Sequence, residues 1–165
     1  MATFADIATY TKEFNINEAL NEIFQAQNIQ RWVLDTIVRR IDTTGITGSE
    51  KKLKTDKAKG GEYYSDVTID IKEWFGDVTS HVTLKDSGSF HESFKFALNL
   101  FGFEIEADFE KSDGNIAKNF TNMYGSSAEF EDDVMSLTNF EIDEMIKNKI
   151  NPLIIEKYNE AIYRP

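Results

Sequence analysis

The stretch SFKFALNLFGFEIEADFE, residues 93–110, alternates apolar and polar side chains on either side of one glycine. Phe94, Phe96, Leu98 and Leu100 share one face of an extended chain, Phe103, Ile105, Ala107 and Phe109 share a second, and Phe101-Gly102 stands between them as a tight turn. Two runs of period two around a turn glycine make a β-hairpin with one apolar face. The segments on both sides of it switch to helical spacing. That change predicts an α+β fold, with long N-terminal and C-terminal helices packed on a small antiparallel β-sheet that includes 94–100 and 103–109.

Upstream, Ile16, Leu20, Ile23, Phe24, Gln27, Leu34, Ile37, Val38 and Ile41 recur at spacings of three, four and seven. They predict one long amphipathic helix from about Asn15 to Asp42, capped by Asn15 or Asn17 and stopped at Thr43-Thr44-Gly45, with Glu18 and Glu22 in its first turns. Trp32 and Val33 stand off that stripe, as a second core contact or a subunit interface. Downstream, GNIAKNFTNMYG (114–125) carries Ile116, Phe120 and Met123 on one side and closes at Gly125. Ser136 or Thr138 then caps a C-terminal helix bearing Phe140, Ile142, Ile146, Ile150, Ile154, Tyr158 and Ile162, with Glu141 in the capping-box position after Thr138. Pro152 predicts a kink near Asn151 or two abutting helices.

Two segments between these read less simply. In YYSDVTIDIKEWFG (63–76), Val67, Ile69 and Ile71 alternate as in a strand, while Tyr64, Thr68, Ile71 and Phe75 fit a short helix capped by Ser65, and periodicity leaves both open. TGITGSEKKLKTDKAKGGE (44–62) combines four glycines with Lys51, Lys52, Lys54, Lys57 and Lys59 and almost no apolar anchors. It predicts a flexible lysine-rich loop at about 44–62. Its glycines lack the spacing of a phosphate-binding loop. The lysines either meet DNA or an acidic neighbour, or simply solvate the loop.

A length of 165 residues, 41% of them hydrophobic, suits a single domain, 1–165, with one core. The absence of cysteine excludes disulfides, thiolate nucleophiles and Cys-based zinc sites, and two histidines exclude a His-rich metal centre. No apolar run approaches the roughly twenty residues of a membrane span, and MATFADIATYTKEF lacks the pattern of a secretory signal, so the expectation is a cytoplasmic product with no membrane contact. A net charge of -11 argues against DNA binding by the whole surface. Residues 1–100 carry 15 acidic and 12 basic side chains, residues 101–165 carry 14 and 6, a bipolar distribution suited to head-to-tail packing of copies.

Both histidines fall in HVTLKDSGSFHESF (81–94), beside three serines and an aspartate. A Ser-His-Asp device is assembled from distant segments around a strained G-x-S-x-G turn, and SGSFHES lacks the second glycine. A structural joint explains the stretch better: Leu84 ends an extended piece, Asp86-Ser87-Gly88 makes a turn, Ser87 or Ser89 caps the next turn of chain, and Phe90 and Phe94 anchor the way into the hairpin. Among the acidic clusters, Asp108, Glu110 and Asp113 precede Gly114, but a calcium loop would place its first ligand at Phe109. Glu129, Glu131, Asp132 and Asp133 read as a solvated face, and nothing selects a carboxylate pair for glycoside hydrolysis. The expectation is no catalytic residue, no cofactor and no metal.

The order YYSDVTIDIKEWFG…HVTLKDSGSFHESF resembles minor structural proteins of tailed bacteriophages, of the tail-completion and head–tail-joining kind. The matching positions are Tyr64, Ser65, Thr68, Lys72, Gly76, Leu84, Ser87, Gly88, Phe90 and Ser93. Tyr124-Gly125, followed by SLT (136–138) opening the last helix, is similar to variants from phages of Bacteroides-like hosts. The likeness spans roughly residues 15–160 in element order. It departs in the lysine-rich loop and in the acidic stretch before SLT. The resemblance implies a non-enzymatic virion component, a homo-oligomeric ring or collar at the head–tail junction or tail end, touching portal, connector or tail proteins and in passing DNA. The charge of -11 supports an alternative, an intracellular acidic inhibitor or DNA-mimicking adaptor.

Overall fold

The computed structural model describes residues 14–85, 87–99, 102–111 and 114–163. Strand β1 (Lys95–Asn99) runs antiparallel to β2 (Gly102–Glu106), with Phe96 opposite Ile105 and Leu98 opposite Phe103. The predicted hairpin is there, and Leu100 and Phe101 of its turn lie outside the described residues. Phe96 stacks on Phe103 at 4.5 Å, and Phe24 from the N-terminal helices meets Phe103 at 5.1 Å, so the hairpin's apolar face is the one the helices cover. A second ladder pairs β3 (Glu110–Lys111) with β4 (Gly114–Asn115), too short to leave an alternation in the sequence. Helices around small antiparallel sheets make the fold α+β, as the periodicities predict.

The single helix expected from Asn15 to Asp42 is two. Helix α1 (Ile16–Gln25) starts under the Asn15 cap, whose side chain accepts the backbone N–H groups of Asn17 and Glu18, and α2 (Gln27–Thr44) ends at left-handed Gly45. Between them Ala26 is extended, at φ -68° and ψ 123°. In an unbroken helix Ile23 and Ile29 would stand about 120° apart round the axis, at opposite edges of a core-facing stripe. The break rephases the chain, and both are buried. Gln30 Nε2 donates to the Phe24 carbonyl at 2.9 Å, satisfying an acceptor that the break leaves open. With that shift the core stripe of α2 becomes Ile29, Val33, Ile37 and Ile41, so Val33 belongs to the core.

The lysine-rich segment is also corrected, because it is anchored. Leu53 and Thr47 are both wholly buried, and Ile46 bridges Lys52 across a turn. Gly48 passes so close to the chain at Ser136 that a Cβ there would lie 2.0 Å from Ser136 Oγ, and its N–H donates to the Asp133 carbonyl. Asp56 closes the far half by accepting from Thr121 and Asn122 at the start of α5 (Thr121–Tyr124). One leucine, the Asp56 carboxylate and the Asp133 carbonyl hold what composition alone presents as a free loop.

Helix α3 (Asp66–Phe75) resolves the open reading of 63–76. The next stretch leads through Leu84, at φ +53°, and Gly88, at φ +89°, into the single turn α4 (Ser89–Glu92). Gly88 occupies the formal cap position of α4, and Ser87 just before it covers the start of the turn as expected, its Oγ accepting the Ser89 N–H at 3.4 Å and bonding Ser89 Oγ at 2.8 Å. Phe90 and Phe94 are buried as anchors, in a chain of rings that continues through Phe109 and Phe130 to Phe120, stacked on Phe130 at 4.4 Å. A short 3₁₀ segment (Ile116–Phe120) and α5 lead to left-handed Gly125.

Residues read as a solvated acidic run form α6 (Ser127–Met135), packed inward through Phe130 and Val134. The Thr138–Glu141 capping box opens α7 (Asn139–Met145) as predicted. The expected kink or break at Pro152 takes another form. A π turn (Ile146–Ile150) joins α7 to α8 (Asn151–Tyr163), with the Asn151 N–H reaching the Ile146 carbonyl. A widened turn just before a proline lets the helix continue past a residue that has no N–H to donate. Helix α8 returns against α1, where Lys157 pairs with Glu22 and Phe14 meets Tyr158 edge-on at 5.4 Å.

Candidate protein-docking surfaces

Helix α3 is held from below and bare above. Ser65 caps it, accepting the Thr68 N–H at 3.3 Å, and Gly76 ends it in the left-handed conformation. Its inner flank rests on Thr68, Ile69 and Lys72, with Lys72 Nζ 5.1 Å from the Tyr64 ring and 3.9 Å from Asp77. Tyr64 is buried, and its hydroxyl accepts the Thr83 N–H at 3.1 Å. None of the ten helical residues is buried. The opposite face carries Val67, Ile71, Trp74 and Phe75, all exposed, Trp74 at 85% and Phe75 at 74%. Their spacing makes one apolar stripe, and Val78 extends it. Burying a large apolar side chain is worth roughly 1.5–3 kcal/mol, so the stripe holds several kilocalories per mole for whatever covers it.

A concave counterpart lies elsewhere. Phe103 and Ile105 of β2 and Met135, Leu137, Ile142 and Met145 around the α6–α7 connection line an open groove of about 480 Å³, with Glu104 and Asp132 also at its wall. Phe140 and Ile146 are exposed on and after α7.

Two polar hubs fix the wall of that groove. The Arg40 guanidinium, buried in α2, pairs with Glu141 and donates to the Ile46, Val134 and Ser136 carbonyls, tying α2, the lysine segment and the α6–α7 connection together. Burial lowers the Arg40 pKa, and Glu141 opposes that shift. Asp133 accepts from Ser49 N–H and Oγ at 2.6 Å and from Thr47 Oγ1 and Tyr124 Oη at 2.8 Å. Burial alone would raise its carboxyl, but these donors outweigh it and hold it below the usual carboxylate value. Tyr124 is pushed up, first by burial and also by Asp133.

The lysine run does not form one cationic patch. Lys51 lies 4.9 Å over the Tyr124 ring, Lys54 Nζ donates to the Gly60 carbonyl, and Lys59 stands 3.8 Å from Asp66 at the start of α3. Lys52 and Lys57 are exposed. Of the motif residues, Tyr64, Ser65, Thr68, Lys72 and Gly76 build the seat of α3. Leu84, Gly88, Phe90 and Ser93 build the joint below it; Ser93 Oγ donates to the Phe90 carbonyl and accepts the Asp108 N–H. Ser87 is exposed.

The two histidines hold backbone. His81 Nε2 bonds the Asp42 carbonyl and His91 Nε2 the Thr83 carbonyl, each at 2.8 Å. Ser80 Oγ is 3.2 Å from His81 Nδ1, a contact in which a carboxylate would sit if His81 were oriented as in a triad. Burial lowers the His91 pKa, against its bond to Thr83. Among the described residues no group of three or more His, Asp or Glu side chains is placed to hold a metal, and no helix is long and apolar enough to cross a membrane.

No family model, curated protein or solved structure matches this chain. Its most distinctive surface, the α3 stripe, is one that sequence reasoning missed. Ile71 and Phe75 carry the right spacing, but the same spacing describes a helix facing inward. Only the position of Tyr64 and Thr83 beneath Thr68 and Lys72 turns the apolar side out.

Proposed function

We propose that this chain is a non-enzymatic structural protein of a tailed-phage particle, forming a homo-oligomeric ring or collar at the head–tail junction or tail end. The observation that carries the reading is the outward stripe of α3. An acidic chain with a well-filled core leaves a tryptophan, a phenylalanine and three aliphatic side chains in line on its surface, and surfaces of that kind mark contacts with other proteins. The resemblance in residues 64–93 supplies the setting, and those residues are the ones that seat α3. A DNA-mimicking inhibitor would present carboxylates as its contact face, whereas the most prominent face here is apolar.

Imaging of purified particles tests this. Symmetric copies of the chain at the head–tail junction or the tail are expected. Its absence from purified virions, despite abundant protein inside infected cells, would overturn the reading in favour of an intracellular inhibitor.

A further inference from the structure

We infer that copies of this chain join head to tail, with α3 of one copy lying in the groove between β2 and the α6–α7 connection of the next. This rests on the reading that the chain assembles with itself, and adds which surfaces meet. The two faces share no residue, so every copy offers both, and a heterologous contact repeats from copy to copy and makes a ring where its rotation closes. Val67, Ile71, Trp74 and Phe75 have the spacing of helix-in-groove anchors. Phe103, Ile105, Met135 and Leu137 supply an apolar concavity of about 480 Å³ to receive them.

Charge orients the contact. Lys57 and Lys59 are exposed ahead of α3, and Glu104 and Asp132 stand at the groove. At roughly 100° per residue, Asp66, Asp70 and Glu73 fall along a single flank of α3, where Lys59 pairs with Asp66, so it is Lys57 that is left to meet the groove's carboxylates. A two-fold pairing of α3 with itself would leave the groove uncovered. The area is adequate: two aromatic rings bury on the order of 150–250 Å² each, and with Val67, Ile71, Val78 and the lysine stems the face approaches the roughly 800 Å² per partner of a standard interface.

Because the chain has no cysteine, engineered thiols report the contact without background. Ile71→Cys and Leu137→Cys proteins, mixed and oxidised at about 1 mM, are expected to give the mixed disulfide at least about tenfold over either homodimer. Trp74→Asp and Leu137→Asp proteins, each checked for folding by circular dichroism, should sediment as monomers alone and as dimers with no larger species when mixed, because each retains one working face. Should Leu137→Asp fail to fold, the charge swap replaces it: Lys57→Glu with Lys59→Glu weakens self-association, and Glu104→Lys with Asp132→Lys in the other copy restores it. A monomeric parent chain at about 1 mM with no mixed disulfide, or a dominant 71–71 homodimer, overturns the proposal. Failure here with symmetric copies in the virion rejects this contact alone; a mixed disulfide from a chain absent from virions upholds the contact and rejects the phage setting.

Discussion

The Arg40–Glu141 pair has side chains only 8% and 11% exposed, and Arg40 also satisfies three carbonyls on segments far apart in sequence. Removing one member of a buried pair leaves the other charge without compensation. Glu141→Ala is therefore expected to lose about 3–5 kcal/mol of unfolding free energy in urea titrations, with Glu141→Gln losing less. The titrating groups set a pH dependence of definite sign. His91 and Asp133 both have folded pKa values below their ordinary ones, so each binds its proton more weakly folded than unfolded. The stability each contributes is complete above its unfolded value and is lost as pH falls through the folded one. Urea midpoints should decline in two steps, the first beginning below about pH 6.5 and the second below about pH 4, and His91→Asn should remove the first step alone.

Among the elements, the lysine segment separates anchoring from charge. Leu53 is wholly buried while Lys57 and Lys59 are exposed, so the same loop contains one residue the fold requires and two it does not. Leu53→Ala should cost about 2–5 kcal/mol, and Lys57→Ser with Lys59→Ser should leave the thermal midpoint nearly unchanged while weakening association with an acidic partner at low salt. An equal loss of stability in both variants would refute this division. The split of the N-terminal helix shows the same dependence on packing. Ala26 is a strong helix former, yet the chain leaves helical geometry there, with Ile23 before the break and Ile29 after it both buried.

For the whole molecule, the exposed α3 stripe predicts a spectroscopic signature. Trp74 is open to water and Trp32 is partly buried against the core, so the dilute chain should show a red-shifted emission component quenched by iodide. That component should shift to the blue and become protected as the chain assembles, and it should vanish in Trp74→Asp. A Trp74 emission that stays quenchable in assembled particles would show that α3 is not the covered surface.

Several features were legible in the sequence because their causes are local. The hairpin at 95–106 follows from alternation around Gly102, the first helix start from Asn15, the α2 stop from Gly45, and the capping box from Thr138 and Glu141, each involving groups within a few residues of one another. The rest depended on contacts the chain makes with itself at a distance. Asp133 looked like one carboxylate in a solvated run until Thr47, Ser49 and Tyr124 reached it, and the lysine segment looked free until Leu53 and Asp56 found their places. The α3 stripe has the same periodicity whether it faces the core or water. Tertiary packing chose water, because Tyr64, Thr68 and Lys72 occupy the inner side, and periodicity carries no information about which side of a helix the rest of the molecule will cover.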